Sequence, residues 1–436
     1  MSNNIKDQKG ILEKLGIERL NPMQTEAIAA INKHNSVVLL SPTGTGKTLA
    51  FLLPILKEMD MAVNEVQTLI LVPSRELAIQ IEQVAREMGS GFKVNAVYGG
   101  RAFAKDKIEL SQPPAILIGT PGRVGDHLRR ETFSVQHLKV LVLDEFDKSL
   151  ETGFEGEMSE IIAALPILEK RILTSATQQT NIPRFAGVKE PLYINYLEEE
   201  ESLLQIKTIS SPQKDKLEIL VKLLKNLENR PGIIFCNYKE TIDEVNAYLS
   251  SRGIKLECFH GGMEQKDRER ALIKFRNGTS RLILATDLAA RGIDVPEIEF
   301  IVHYQLPHSK QEFIHRNGRT ARMNKKGIAY VLHWENERLP DFIEKDQSFP
   351  VSEIPSESNT EWKTLFISGG RKDKISKGDI AGLFLKQGNL QKEELGNIEL
   401  KHDCAFVAVP SAKAQILIEL LNNSRLKKKK VRITKI

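Results

Sequence analysis

The chain has 436 residues, 41% hydrophobic and 27% charged, a balance that suits a soluble globular protein of two or three domains at about 150 residues each. No apolar run approaches the roughly 18 residues that a membrane-spanning helix needs, and residues 1–7 carry no apolar h-region, so spanning and secreted classes are set aside; Cys236, Cys258 and Cys404 are far apart, show no metal-ligand spacing, and suit a reduced cytoplasmic setting. The net charge of +5 is uneven: residues 361–436 hold 16 Lys+Arg against 8 Asp+Glu, while the rest holds 46 against 49, which points to a polyanion-binding module at the end of a slightly acidic body.

In chain order, Asn21-Pro-Met-Gln24 precedes a short apolar run, 36–40, that reads as a buried parallel strand. Ser41-Pro-Thr43-Gly44-Thr45-Gly46-Lys47-Thr48 follows, and then 49–53 opens a helix. Strand, glycine-bearing turn and helix N-terminus make an anion cradle. Gly44 and Gly46 allow close backbone approach, Lys47 meets the β- and γ-phosphates, and the Thr48 hydroxyl can hold Mg²⁺. Ser41 stands where a strict P-loop has glycine.

Further apolar runs at 68–72, 93–97, 115–118, 140–143 and 171–174, with helical stretches such as 75–88 between them, predict a doubly wound parallel sheet. Ligands of such sheets sit at the strands' carboxyl ends, where Thr48, Arg75, Arg123, Asp144 and Ser175 fall. Asp144-Glu145-Phe146-Asp147 places two adjacent carboxylates after a strand. This suits ATP hydrolysis, with Asp144 on Mg²⁺ and Glu145 polarising water.

The acidic run 198–201 reads as a linker spanning 198–211. A second α/β domain is expected over 212–345, with strands at 232–236, 256–260, 281–286, 300–304 and 327–333. It has no second P-loop, so it should supply residues to a nucleotide held by the first. Arg319 and Arg322 lie three apart, so a helical turn would aim both at one ligand as arginine fingers. His260 reads as structural, at a strand end. After a second linker, 346–360, residues 361–436 read β-α-β-β-α-β, with strands at 364–368, 397–401, 404–409 and 431–434 and helices at 377–386 and 411–421. That is the split-βαβ order of RRM-type RNA binders.

Together these motifs resemble the DEAD-box RNA helicases over nearly the whole chain. Besides the P-loop and the Asp-Glu pair, the resemblance rests on Asn21-Pro-Met-Gln24, Pro73-Ser-Arg-Glu-Leu-Ala78, Gly99-Gly100, Thr120-Pro-Gly-Arg123, Ser175-Ala-Thr177, Ile234-Phe-Cys-Asn237, Gln265 with Arg268, the run from Ala285 to Asp294, and His315-Arg-Asn-Gly-Arg-Thr-Ala-Arg322. It implies an α/β fold of two tandem RecA-like doubly wound parallel-sheet domains, 1–197 and 212–345, plus a small α+β RRM-like domain. It further implies that Gln24 reads adenine, that residues 41–48 and Asp294 bind ATP, and that Arg75, Gly100, Thr120, Arg123, Arg268 and Thr286 contact RNA. His315 would relay hydrogen bonds near the γ-phosphate. The last segment resembles the RNA-binding domain of the DbpA-type subfamily through Trp362–Asp373, Lys377–Ile380, Leu395–Leu400 and Ala405–Pro410. Phe366 is a candidate base-stacking platform, balanced against plain core packing, and Lys427 and Lys428 are candidate phosphate contacts.

Three departures stand out. Phe146 replaces alanine in the acidic motif. No aromatic residue precedes Phe51, and Ile17 stands where one often precedes the Pro-x-x-Gln. Asn317 and Ala321 replace commoner residues in the last motif. The expected protein is a monomeric ATP-dependent RNA helicase that remodels structured RNA, with ribosomal RNA in large-subunit precursor particles as its target by resemblance. The rival readings are an RNA-binding clamp with vestigial ATPase, supported by Phe146 and Ser41, and a DNA helicase, which the RRM-like tail opposes.

Overall fold

The computed structural model describes residues 8–42, 44–177, 182–197, 204–287, 298–320, 326–343 and 361–436. The chain divides into two compact units, broadly residues 1–202 and 203–436.

The first unit is built on β1 (Ser36–Leu40), β2 (Thr68–Leu71), β3 (Val94–Val97), β4 (Ile116–Gly119), β5 (Val140–Leu143), β6 (Lys170–Ser175) and β7 (Leu192–Asn195). Their spatial order is β3-β4-β2-β5-β6-β1-β7, and the pairings are parallel. Alternate residues go to opposite faces, and both faces are buried. Val37, Leu39, Ile70 and Ile172 meet one apolar cluster, while Val38, Leu40, Leu69 and Leu173 meet the other. This is why the strands read as unbroken apolar runs. Helices Pro22–Lys33, Lys47–Glu58 and Arg75–Met88 cover the first face, and Pro121–Arg129 and Glu155–Ala163 the second. β7 was not expected: at 192–195 only Ile194 is buried, so the apolar signal is weak.

The second unit opens with β8 (Leu204–Ser211), which corrects the expected linker 198–211. It pairs in parallel with the later β13 (Gly327–Trp334) along its whole length, from Gly327↔Leu204 to Trp334↔Ser211. The Glu run before it hides the alternation of Leu204-Gln-Ile-Lys, and the remaining linker residues, 198–203, lie outside the described residues. β9 (Gly232–Cys236), β10 (Glu257–Phe259), β11 (Leu282–Thr286) and β12 (Phe300–His303) complete a parallel sheet ordered β10-β11-β9-β12-β13-β8. The linker 346–360 also lies outside the described residues.

In the tail, β14 (Trp362–Ile367), β15 (Ile398–Leu400), β16 (Ala405–Pro410), a small hairpin of β17 (Arg425–Leu426) and β18 (Lys429–Lys430), and β19 (Ile433–Lys435) follow in order. The four longer strands form an antiparallel sheet ordered β15-β16-β14-β19. Leu365, Ile367, Val407 and Ile433 face a layer made by Ile380, Phe384, Leu417 and Leu421. The first tail helix begins at a Ser376–Asp379 capping box and runs Lys377–Gly382 before loosening into a π-turn, Leu383–Gln387. The β-α-β-β-α-β order therefore stands. The tail does not form a separate unit but belongs with the second parallel-sheet domain.

Candidate functional site

Three neighbouring strand ends of the first sheet build one polar site. The residue after β1, Ser41, donates its N–H to the carbonyl of Ser175 at the end of β6, 3.0 Å away. Gly44 and Gly46 sit at φ 88° and 86°, the left-handed region that a side chain disfavours, and a Cβ on Gly46 would collide with the Gln24 amide. Gly46 is the N-cap of helix Lys47–Glu58 and offers no capping side chain, which leaves the helix's positive end for an anion. Lys47 is buried, and its ammonium donates to the carbonyls of Ser41 (2.6 Å) and Pro42 (3.0 Å). The Ser41 and Thr45 hydroxyls are hydrogen-bonded at 2.8 Å, and Thr45 also donates to Pro42 O at 3.0 Å, so Ser41 closes the loop by its side chain. Thr48 follows Lys47 in the first helical turn, half-buried. Thr43 lies outside the described residues.

Gln24 is tied to this loop. Its Oε1 accepts from Asn21 N–H (3.0 Å), its own N–H donates to Asn21 Oδ1 (2.8 Å), and its Nε2 donates to Gly46 O (3.2 Å), while Asn21 Nδ2 donates to Thr45 O (2.9 Å). This capping box starts helix Pro22–Lys33 and pins its end to the phosphate cradle. Asn21 was missed as a functional residue, although Asn three before Gln is the capping-box signal. A shallow groove lined by Arg19, Leu20, Asn21, Pro22 and Thr25 opens beside Gln24, with no aromatic side chain in its wall.

At the end of β5, Asp144, Glu145 and Asp147 are all buried. Burial first, then the adjacent Glu145 charge, push the Asp144 carboxyl up to about 6, against the Thr174 hydrogen bond and the Lys47 charge. Glu145 adopts φ +48°, its N–H donates to Thr174 Oγ1 at 3.1 Å, and its Oε2 is buried without a hydrogen-bond partner among the described residues. Two buried carboxylates, one with an orphaned oxygen, fit a divalent cation beside a phosphate. Thr174 Oγ1 also donates to Asp144. Thr177 Oγ1 donates to Asp147 Oδ2 at 3.0 Å, and Ser175 Oγ to Thr177 O at 2.8 Å. The Ser175-Ala-Thr177 segment is thus wired to the acidic motif. Phe146 is 2% exposed inside an apolar cluster, so its bulk is absorbed by the core rather than by the site.

Farther along the same edge, the Arg75 guanidinium lies against Gly99 and Gly100. Gly100 has φ +83°, and a Cβ there would collide with Arg75. Arg123 is braced rather than loose. Its Nε donates to Asp106 Oδ2 (2.8 Å) and its Nη2 to Arg101 O (2.6 Å). Asp106 is fully buried, pairs with Arg101 (3.1 Å) and approaches His127 (3.4 Å), whose ring stacks on Phe103 at 4.5 Å. Burial alone would raise the Asp106 carboxyl, but hydrogen bonds from His127 and Arg123 and the charges of Arg101 and Arg123 hold it below its usual range. Thr120 is the N-cap of helix Pro121–Arg129, without a side-chain cap bond. Asp106 stands 17 residues before Arg123 in no periodic relation, so no local signal exposed it.

In the second unit, Arg316 is 1% exposed. Its guanidinium grips Asp287 through two bonds of 2.7 and 2.6 Å, and donates to Gln305 O and Asn237 Oδ1, each at 2.7 Å. It ties together three of the motifs singled out in the sequence. Arg319 follows helix Lys310–Asn317 on a hydrogen-bonded turn and is buried, as is His315. Arg322 and Asp294 lie outside the described residues. Arg268 is buried with its guanidinium over the Phe259 ring, and Thr286 ends β11 half-buried. His260 Nδ1 accepts from Gly262 N–H at 3.2 Å, a turn-closing role. In the tail, Phe366 packs edge-on against Phe406, ring centres 5.6 Å apart, and is half-buried on the sheet face opposite the core. Lys427 and Lys428 form the tip of the β17–β18 hairpin. Lys427 pairs with Asp379 (3.0 Å) and Lys429 with Asp373 (2.8 Å).

Comparison with known proteins gives this arrangement its family. The DEAD/DEAH box helicase profile matches residues 21–185, the helicase conserved C-terminal domain matches 215–324, and the DbpA RNA binding domain matches 364–435. The chain is 32% identical over 437 residues to the ATP-dependent RNA helicase DbpA of Escherichia coli (strain K12), spanning 97% of this chain and 95% of that one. This chain belongs to the DEAD-box ATP-dependent RNA helicases. To the DbpA of Bacillus subtilis (strain 168) the helicase is 30% identical over 97% of its length and 96% of the relative's. Among solved structures it resembles S. cerevisiae Dbp5 bound to RNA and ADP BeF3 (TM-score 0.68, 27% identity, 76% of this chain and 89% of that one). It also resembles the DEAD-box helicase Mss116 bound to ssRNA and UDP-BeF (TM-score 0.70, 26% identity, 81% and 80%). The helicase is an RNA-dependent ATPase with two RecA-like domains and a small RNA-binding domain. Among its described residues no helix is long and apolar enough to cross a membrane, and no cluster of ligating side chains forms a resident metal site.

Proposed function

We propose that the helicase locally unwinds structured ribosomal RNA in large-subunit precursor particles, acting as a cytoplasmic monomer. The buried Asp144–Glu145 pair, with its orphaned Glu145 oxygen and with Asp144 in the field of Lys47, carries the ATPase part of this reading. Lys47 and the loop residues 41–48 hold the β- and γ-phosphates. Asp144 and Thr48 would hold Mg²⁺, which supplies charge neutralisation at the phosphates. Glu145 orients the attacking water. Gln24 reads the adenine base and is tied to the cradle by its bond to Gly46. His315, Arg319 and Arg322 serve the γ-phosphate and Asp294 the nucleotide when ATP and RNA draw the two motor domains together. Arg75, Gly100, Thr120, Arg123, Arg268 and Thr286 hold the RNA sugar-phosphate chain, which carries no sequence information.

Choice of RNA therefore belongs to residues 361–436. Their net +8 and the DbpA RNA binding domain match support this, with Lys427 and Lys428 among the phosphate contacts. The deciding measurement is half-activation of ATPase by a structured ribosomal RNA fragment, by poly-adenylate and by DNA of equal sequence, with and without residues 361–436. The fragment should activate at much lower concentration than poly-adenylate only when the tail is present, and DNA should not activate. A truncated protein that keeps the full preference would move selection into the motor.

A further inference from the structure

The outer face of the tail sheet carries Trp362, Thr364 and Phe366 of β14 opposite Ala408 and Phe406 of β16, with Glu399 of β15 beside Phe406. In RRM modules this face is where bases stack. Here the second motor domain covers part of it. Thr364 is completely buried; its hydroxyl accepts from Asn277 Nδ2 at 3.1 Å and lies 2.7 Å from the Thr279 hydroxyl. One residue earlier, Arg276 Nε meets Glu399 Oε1 at 3.1 Å. Between them Gly278 lies against the Trp362 ring, close enough that a Cβ there would sit 3.6 Å from the indole, while Gly396 of the tail closes on the ring's other edge. Asn277 and Thr279 are themselves buried, and Ala408 and Phe406 are 2% and 5% exposed. The turn that ends helix Gln265–Arg276 is therefore seated on the sheet.

We propose that this face is a docking surface for the motor's Arg276–Thr279 turn and not an RNA platform, so the tail rides on the second motor domain as a rigid extension. The contact has the anatomy of a specific interface: a buried polar triad, an aromatic side chain held between two glycines, and an ion pair at its edge. A loosely tethered tail would leave Thr364 in water. The consequence rests on the reading that the tail binds RNA. RNA held by the tail, on a surface other than this sheet face, keeps a fixed distance and angle to the second motor domain, so each closure of the motor displaces that RNA as a lever would.

Trp334 and Trp362 are the two tryptophans of the chain, which provides the test. In a Trp334→Phe background Trp362 alone reports on the contact. Asn277→Arg, which leaves the tail sequence untouched, and Arg276→Glu should each red-shift its emission and speed its quenching by acrylamide. Arg276→Glu combined with Glu399→Arg should restore both. Affinity of the full chain for the structured RNA fragment should be unchanged, while duplex unwinding per ATP hydrolysed falls by about threefold or more, as expected when a fixed geometry becomes a tether. Unshifted Trp362 emission in both single variants would overturn the docking. A rise in RNA affinity on opening the contact would overturn it too, because the sheet face would then be the RNA site. Wild-type unwinding with a displaced Trp362 would refute the lever. Loss of structured-RNA preference on deleting the tail tests the tail's RNA role separately from these outcomes.

Discussion

The two parallel sheets share one architecture but bury different ionisable groups at their strand ends and in the helices that follow. In the first motor domain the buried ionisable groups there are led by carboxylates: Asp106, Asp144, Glu145 and Asp147. In the second they are cations and imidazoles: Arg268, Arg316, Arg319, His303 and His315. Burial acts on both in the same sense, toward the neutral form. It pushes Asp144 up to about 6 and, with the neighbouring Arg316 charge, pushes the His303 imidazole down to about 3. The sheet thus sets where polar residues emerge, and the residue after each strand sets what they can hold. On the proposed reading, the first domain would receive a cation with its phosphates and the second would meet phosphate oxygens through Arg319.

Removing the cation embedded in the acidic domain should have the largest effect. Lys47→Ala should lower RNA-stimulated ATP turnover by about 10³-fold while the circular dichroism spectrum stays that of the folded chain. Turnover near wild type would break the contrast at its first member. Next is Arg316→Ala, which strands Asp287, Asn237 and the Gln305 carbonyl. It should cost the second unit about 3 kcal/mol or more, and Arg316→Lys should not rescue it, because a point charge cannot make the paired bonds to Asp287. Both tryptophans lie in that unit, so their fluorescence in urea reads this loss directly. Glu145→Gln should then lower turnover by about 10²-fold yet still bind ATP and RNA in a long-lived complex, seen as slowed release of labelled RNA.

A smaller effect comes from acid. His303 Nε2 and Asn317 Oδ1 are hydrogen-bonded at 3.0 Å, and complete burial beside the Arg316 charge keeps the ring neutral against that bond. An imidazole in the unfolded chain takes up its proton near pH 6.5, whereas the folded one resists until about 3. The unfolded state therefore binds more protons across that window, and stability is lost as pH falls through it. From pH 7 to pH 5 the second unit should lose about 2 kcal/mol through this group, and His303→Gln should flatten that slope. The smallest expected change is in the tail hairpin. Lys428→Ala should reduce the salt slope of RNA binding by about 0.7 if the hairpin meets single-stranded RNA. Lys429→Ala should do less, since Lys429 is already engaged by Asp373.

Much of this was legible in the sequence because it is local. The P-loop is a strand, a turn and a helix in series, and Asp144 follows an apolar run directly. What stayed hidden joins distant residues or hides behind composition. The Asp106–Arg123 brace has no period that announces it. Asn277 and Thr279 are 87 and 85 residues from Thr364, and no pattern pairs them. β8 is polar at alternate positions and follows an acidic run, so it passes for linker. The β17–β18 hairpin is mostly lysine and arginine, which carry little strand preference, and two residues on each side suffice to close it.

β8 also has a mechanical meaning. It pairs in parallel with β13 along all eight of its residues and enters the sheet at Leu204. A tug on the incoming chain along the strand axis loads that ladder in shear, so its hydrogen bonds must fail together and not unzip one by one. Force delivered at Leu204 is accordingly passed to the whole second sheet, and the strand behaves as an anchor bolt rather than a hinge leaf.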